Sequence, residues 1–503
     1  MKLYIENFGL YLIFFFLLIL NYFQVKAQSF GFIVDQDWTI IYNSLLITSN
    51  FEQEYFDHPA YTTFLLYGIC LKIINLFLDL DLNVLNILDN KNPEENLQNI
   101  FFCLRIINSI IIFIIYFLLF KTLKLFKIPG IYNIFILIFF LFFDSVYQLL
   151  FLLRSEALSV LFFLLSNFFL IKYLKNNLKK KYIIFGSIFF TLSILAKTQA
   201  ILLFLGIPFI FIFLKQRFLK RETKMIIKNK IYQKILYLFA LFVIIASSIL
   251  YLKYPAPTDL VFFTIYLIFY LIFYNFFEKI NFLKIKEILN FILLFIFGIF
   301  LTFVMVASLD FLNIIPFDYS IIINNFSRPI THMSSFTGFY NIADNNFLNI
   351  LNELIKRFTN LEEVKELLIK NEFIIFFIPI LYYYLIKNDF NKNLFYIFVL
   401  FCNLIFITLI FSSFRDVNFY QIYLVPITLL ILIEFVLLEK KILFFLCILF
   451  FAVSNFQEVK YSITEGFIGE RTVINLCSYD EQSWNMINAN LKNYEKFQTV
   501  FCK

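Results

Sequence analysis

Charge is what this chain is poorest in. Only 15% of its 503 residues are Asp, Glu, Lys or Arg, 61% are hydrophobic, and the mean hydropathy is +0.82. Soluble domains carry about a quarter charged residues, so a water-soluble fold is excluded. Histidine is nearly missing, with two residues, and there are six cysteines. The chain has no Cys/His cluster of zinc spacing and no H-E-x-x-H, which argues against a zinc protease. It also lacks a Gly-rich motif that would cradle phosphates, which argues against a nucleotide-driven pump. Six cysteines are too few for a disulfide framework. Cys70, Cys103, Cys402 and Cys447 lie in apolar stretches and read as inert buried thiols. Cys477 and Cys502 instead flank a polar tail and would pair if that tail faces an oxidising compartment.

What is abundant is apolar sequence in runs close to the ~20 residues that cross a bilayer, so length counts spans rather than globular domains. The 76 phenylalanines carry no functional weight, since Leu or Val would serve the same lipid-facing role. The net charge of +7 sits in short loops between spans, the pattern of topology signals, and implies no nucleic-acid partner. Six such loops are expected to be cytoplasmic: Lys121 with Lys124 and Lys127; Lys172 through Lys181; Lys215 through Lys234; Lys279 through Lys286; Lys387 with Lys392; and Lys440 with Lys441. Spans are expected near 8–26, 99–120, 131–147, 157–174, 182–196, 199–214, 235–252, 259–277, 288–307, 373–387, 394–412, 419–438 and 442–455. That makes an all-α polytopic membrane protein of about 13 transmembrane helices. The first apolar stretch is long for a signal peptide and reads as an uncleaved span with its N-terminus inside.

Residues 61–80 are apolar enough for a further span, but a crossing there would turn every Lys-rich loop outward. The stretch therefore reads as an outer juxtamembrane or re-entrant segment, interrupted by Lys72 and ending in Asp79 and Asp81. The expected organisation is a transmembrane domain over 1–455 with outer loops at 28–98 and 308–372, the second holding an amphipathic helix within 346–370. A small polar tail over 456–503 is expected on the outer face.

Charges at membrane depth cost free energy, so their convergence on one side is informative. They converge on the outer side. The first outer loop reads Asp35-Gln36-Asp37-Trp38, and later Asp57-His58-Pro59. Two carboxylates at i and i+2 after a span can bind a divalent cation or divide the work of base and orienting group, although a solvated turn is the plain alternative. Other outer span ends contribute Arg105, Arg154 with Glu156, Lys197, and Arg415 with Asp416. Guanidinium groups take phosphate oxygens bidentately and Lys adds a point charge, so Arg154, Lys197 and Arg415 suit the phosphate of a lipid-linked donor. Snorkelling helix ends are the alternative for each alone. Arg154-x-Glu156, with both signs at a helix start, points to a fixed pair. His58 and His332 read as structural unless a site is built around them.

Together these residues resemble the GT-C superfamily of membrane glycosyltransferases, in the branch of protein O-mannosyltransferases and lipid A aminoarabinose transferases. The resemblance rests on Asp35-Gln36-Asp37, Asp57-His58-Pro59, Arg105, Arg154-x-Glu156, Lys197, and Arg415 followed by Tyr420 and Pro426. It implies a GT-C-type fold that moves a sugar from a polyprenyl-phosphate donor to a lipid, glycan or protein acceptor. The place implied is the outer face of a bacterial inner membrane. Asp37, aided by Asp35, would be catalytic or hold a divalent cation, the one candidate cofactor; the spacing to His58 favours Asp37 over Asp35. Arg154, Glu156, Lys197, Arg415, His58, Asp57 and Arg105 would bind substrate. The chain departs from the family in having D-Q-D for D-E and His58-Pro59-Ala60 for a diproline. Two rival readings use the same outer charges: a transporter or flippase for lipid-linked glycans, for which internal repeats would speak and none are visible, and an O-antigen-type polymerase.

Overall fold

The structure, a computed structural model, describes residues 2–27, 37–54, 60–175, 179–197, 200, 285–312, 316, 421–437, 441–465, 481, 484, 488–491 and 493–502. These residues form helices joined by turns and short connections, with no strand among them. In chain order the helices are α1 (Lys2–Ala27), α2 (Thr39–Thr48), α3 (Tyr61–Ile74), α4 (Pro93–Leu125), α5 (Gly130–Phe140), α6 (Asp144–Phe151), α7 (Ser155–Lys175), α8 (Lys181–Ala196), α9 (Ile285–Phe311), α10 (Val425–Leu437), α11 (Lys441–Glu465) and α12 (Tyr494–Phe501). Five of them, α1, α4, α7, α9 and α11, are long and apolar enough to cross a membrane, and the bent pair α5–α6 would make a sixth. This is the makeup of a multi-pass helical membrane protein. The spans expected at 199–214, 235–252, 259–277, 373–387 and 394–412, and the helix expected within 346–370, lie outside the described residues.

Each long helix shows why it sits where it does. On α1, Phe8, Tyr11, Phe15 and Phe23 are exposed, whereas Leu10, Ile13 and Leu17 are buried. A face of large apolar side chains open to the surroundings fits acyl chains and not water. Helix α4 starts with Pro93 at its first position and Glu94 and Glu95 in its first turn, and has Lys124 in its last. Proline without its N–H, acids at the positive end and a base at the negative end all favour that direction and those limits. At ~1.5 Å per residue, α4 is about 50 Å long and outreaches a ~30 Å hydrocarbon core. It begins inside what reads from sequence as the outer loop.

Helix α3 has 14 residues. That is about 21 Å of rise, too short to cross a ~30 Å core alone. Tyr61, Phe64, Tyr67 and Leu71 are buried, and α3 packs on α2, α4 and α8, while Leu76 and Phe77 just beyond its end are exposed.

The expected straight span at 131–147 is instead broken, with α5 and α6 meeting at 67°. Asp144 stands at the break. It is buried there, at the first turn of α6, where the positive end of a new helix favours its charge. Its carboxylate also accepts hydrogen bonds from Gln148 Nε2 at 2.7 Å and from the Ser462 hydroxyl of α11. Helix α11 runs to Glu465, past the tail boundary expected at 455.

The two ends of the bundle differ. At one end Lys121 and Lys124 close α4, Lys172 and Lys175 close α7, and Lys181 opens α8, with Lys175 Nζ donating to the Leu125 carbonyl at 3.1 Å. The other end gathers the C-terminal ends of α1, α8 and α11 and the starts of α4 and α7. There Gln24 Nε2 donates to the Ile463 carbonyl at 3.2 Å, and Asn21 donates to that of Leu150.

Helices α7 and α8 form a hairpin closed by Ser159 and Ser193, which bond through their hydroxyls and to each other's backbone carbonyls. Helix α9 lies against α8 at Gly298, where a Cβ would fall 1.7 Å from Ser187 Oγ and 2.9 Å from the Ile184 carbonyl oxygen. Small residues let helix backbones approach this closely in lipid. Gly298→Ala is therefore expected to cost about 1–3 kcal/mol through overpacking. Thermal unfolding in detergent should show a lowered midpoint, partly restored by adding Ser187→Gly; an unchanged midpoint would contradict the close approach.

Candidate functional site

Asp37 immediately precedes the Trp38 that leads into α2, and it has no exposed surface. Its Oδ2 lies 2.9 Å from an Arg105 terminal nitrogen, and its Oδ1 accepts the Leu153 N–H at 2.7 Å. Arg105 projects from α4 and is itself fully buried, its guanidinium carbon 3.7 Å from the centroid of Phe101 one turn earlier. A cation over an aromatic face gains electrostatic attraction, and more so where water is excluded. One turn further along α4, Asn108 donates to the Leu149 carbonyl and, at 3.1 Å, to that of Leu152, and accepts from Tyr67 Oη at 3.1 Å. Carbonyls at a helix end have no partner within the helix, so Asn108 supplies what the end of α6 needs.

The second group begins one residue after Leu153. Arg154 reaches the Glu156 carboxylate through two nitrogens, Nε to Oε2 at 3.2 Å and a terminal nitrogen to Oε1 at 2.9 Å. Lys197 Nζ lies 3.2 Å from the same Oε1. All three side chains are at most 5% exposed. Local structure sets this up. Glu156 occupies the first turn of α7, where the helix dipole favours an anion, and Lys197 ends α8 in extended backbone that turns its chain toward α7.

Asp37, Arg105, Arg154, Glu156 and Lys197 thus converge at the end of the bundle opposite the Lys-rich one, joined through consecutive residues Leu153 and Arg154. Three cations face two carboxylates among the described residues. Burying ion pairs seldom adds net stability over an apolar replacement, so the cluster is not explained as a means of holding the helices together.

The arrangement differs from what the residue types suggest in isolation. Arg105, expected on the substrate, is the partner of Asp37; Arg154 pairs with Glu156 as their spacing suggests, and Lys197, expected beside Arg154 on a phosphate, lies against the same carboxylate. The divalent cation expected between Asp35 and Asp37 meets a carboxylate already facing a guanidinium and an amide N–H. Among the described residues there is no group of three or more His, Cys, Asp or Glu placed to hold a metal. Asp35, Asp57, His58, His332 and Arg415 lie outside the described residues.

Sequence reading misses Asn108 and Tyr67, polar groups in apolar helices whose isolation there was the available signal. Glu54 stands in the acidic stretch of the first outer loop, Glu52-Gln53-Glu54, but its partner does not show in sequence: it accepts the Tyr42 hydroxyl at 2.7 Å. Burial and that carboxylate push the Tyr42 phenol up, so it stays a donor. No protein-family model, curated protein or solved structure matches the chain.

Removing Arg105 alone strands a buried charge. Arg105→Met is expected to cost about 3–5 kcal/mol, most of it recovered when Asp37→Asn is added. Thermal unfolding of the four proteins of this cycle measures the coupling; additive losses would show that the two residues are not an energetic unit.

Proposed function

We propose that the protein is a membrane glycosyltransferase that moves a sugar from a polyprenyl-phosphate donor to an acceptor hydroxyl at the membrane face opposite its Lys-rich loops. The observation that carries this reading is the convergence, at one end of the helix bundle, of Asp37–Arg105 with Arg154–Glu156–Lys197. The positive-inside rule assigns the Lys-rich end to the cytoplasm and this cluster to the outer face. The GT-C-type fold and the spans outside the described residues belong to the same proposal.

The chemistry is a single displacement. The acceptor oxygen forms a bond to the anomeric carbon, the bond from that carbon to the phosphate oxygen breaks, polyprenyl phosphate leaves, and the hydroxyl proton passes to Asp37. One displacement inverts the anomeric configuration. Each carboxylate oxygen carries two lone pairs, so Asp37 can take an acceptor hydroxyl beside the Leu153 N–H. Its burial means that the acceptor must displace a neighbouring group to reach it. Arg105 fixes the carboxylate in place. Arg154 and Lys197 bring a guanidinium and an ammonium together at Glu156, and both groups have the chemistry to take an incoming phosphate. Held in a water-poor site, they would offset the charge that grows on the leaving group.

The test is transfer of labelled sugar from polyprenyl-phosphate donors in membranes carrying the protein. Asp37→Asn is expected to lower the rate by about 10²–10⁴-fold, the usual contribution of a positioned base. Retained transfer would remove Asp37 from that role. If no donor supports transfer but proteoliposomes move a lipid-linked glycan across the bilayer, the protein is a transporter.

Lys197→Ala is expected to act differently. It removes a charge that a phosphate would meet before and during reaction, so KM for the donor should rise at least as much as kcat falls. Steady-state kinetics over donor concentration separate the two; a change confined to the acceptor's KM would place Lys197 on the other substrate.

A further inference from the structure

The chain holds two tryptophans, Trp38 and Trp484, and both are buried, 1% exposed each. They lie against each other with ring centroids 6.2 Å apart and planes at 21°. Trp38 follows Asp37 directly, whereas Trp484 belongs to the polar segment beyond α11. Phe497 of α12 completes the packing, 4.0 Å from Trp484 and 5.9 Å from Trp38, and Tyr42 stacks on Trp38 from α2 at 6.0 Å. The indole N–H of Trp38 donates to Asn488 Oδ1 at 3.1 Å.

A second set of bonds joins the same two regions. The Glu54 carboxylate accepts the N–H groups of Ala489 and Asn490, each at 2.9 Å, as well as the Asn490 side-chain amide and the Tyr42 hydroxyl. The Glu54 N–H in turn donates to Asn43 Oδ1 at 2.9 Å. One carboxylate therefore ties the first loop, α2 and the late segment together. Further along that segment Lys496 pairs with Asp89, and Cys502 is in a disulfide. An indole held by stacking and by its N–H has little freedom, and the residue joined to it inherits that restriction.

We infer that Trp484, Asn488 and Asn490 form a clasp: they are positioning residues that hold Trp38, and through it Asp37, in register with Arg105 and Leu153. The inference rests on the proposed transfer reaction for its kinetic consequence only, because the geometric claim is independent of what reaction Asp37 serves.

The experiment uses the full chain in detergent or nanodiscs. With Trp484→Phe as background, Trp38 is the sole tryptophan and its emission reports its surroundings. Adding Asn488→Ala is expected to shift that emission to the red and raise its quenching by acrylamide, while Asn488→Asp, which keeps an acceptor for the indole N–H, restores both. Asn490→Ala, which leaves the indole bond intact, is expected to give a smaller shift of the same sign and covers the case in which Asn488→Ala fails to fold. In the transfer assay Asn488→Ala is expected to lower kcat by up to about 10²-fold, the scale of a 1 Å misplacement, with donor affinity unchanged. Unchanged Trp38 emission and quenching in these variants would overturn the clasp. So would a red shift without loss of kcat, or a loss lying wholly in donor affinity. If the unaltered protein transfers no sugar, the proposed function fails and the clasp stands or falls on Trp38 emission alone.

Discussion

The Asp37 carboxylate, closed off from water between Arg105 and the Leu153 N–H, is the contact on which the arrangement of this end of the protein turns. It joins three parts of the chain that share no local sequence relation: the entry to α2, the early part of α4, and the turn between α6 and α7. An ionised carboxylate in apolar surroundings is costly unless its charge and its lone pairs are met, so this one carboxylate specifies where its two neighbours must lie. Once Leu153 is held there, Arg154 and the start of α7 follow, and with them Glu156 and the Lys197 at the end of α8.

The same physics explains the polar residues around it. Where a helix stops within apolar surroundings, its last carbonyls need donors, and they receive them from side chains of other helices: Asn108 for Leu149 and Leu152, Asn21 for Leu150, Gln24 for Ile463. The break between α5 and α6 is tolerated for this reason. These residues look out of place in apolar sequence, yet each answers a group that the helix geometry leaves unmet.

Much of the fold was legible because it depends on local composition. The apolar runs locate α1, α4, α7, α8 and α11; Arg154-x-Glu156 announces a pair because both charges stand two residues apart at a helix start; Lys197 marks the end of α8 because a charge there interrupts an apolar run. The rest was hidden for a physical reason. Asp37 and Arg105 are 68 residues apart, and no spacing rule connects them. Hydropathy averages across Asp144 and gives no sign of the bend between α5 and α6. Glu54 and the late polar segment look solvated, since sequence alone carries no sign that Trp38 and Trp484 bury each other. Arg105 and Lys197 were recognisable as unusual, but that each lies against a carboxylate was not.

The bond between Trp38 and Asn488 spans 450 positions. Closing so large a loop is slow compared with forming a hairpin such as α7–α8. During synthesis Trp38 leaves the ribosome long before Asn488 does. Until Asn488 arrives, the indole beside Asp37 lacks its shelter, so this corner of the protein is among the last to mature. Biogenesis thus has an order written into it, and a nascent chain halted early would carry its helices in the bilayer with this corner still unfinished.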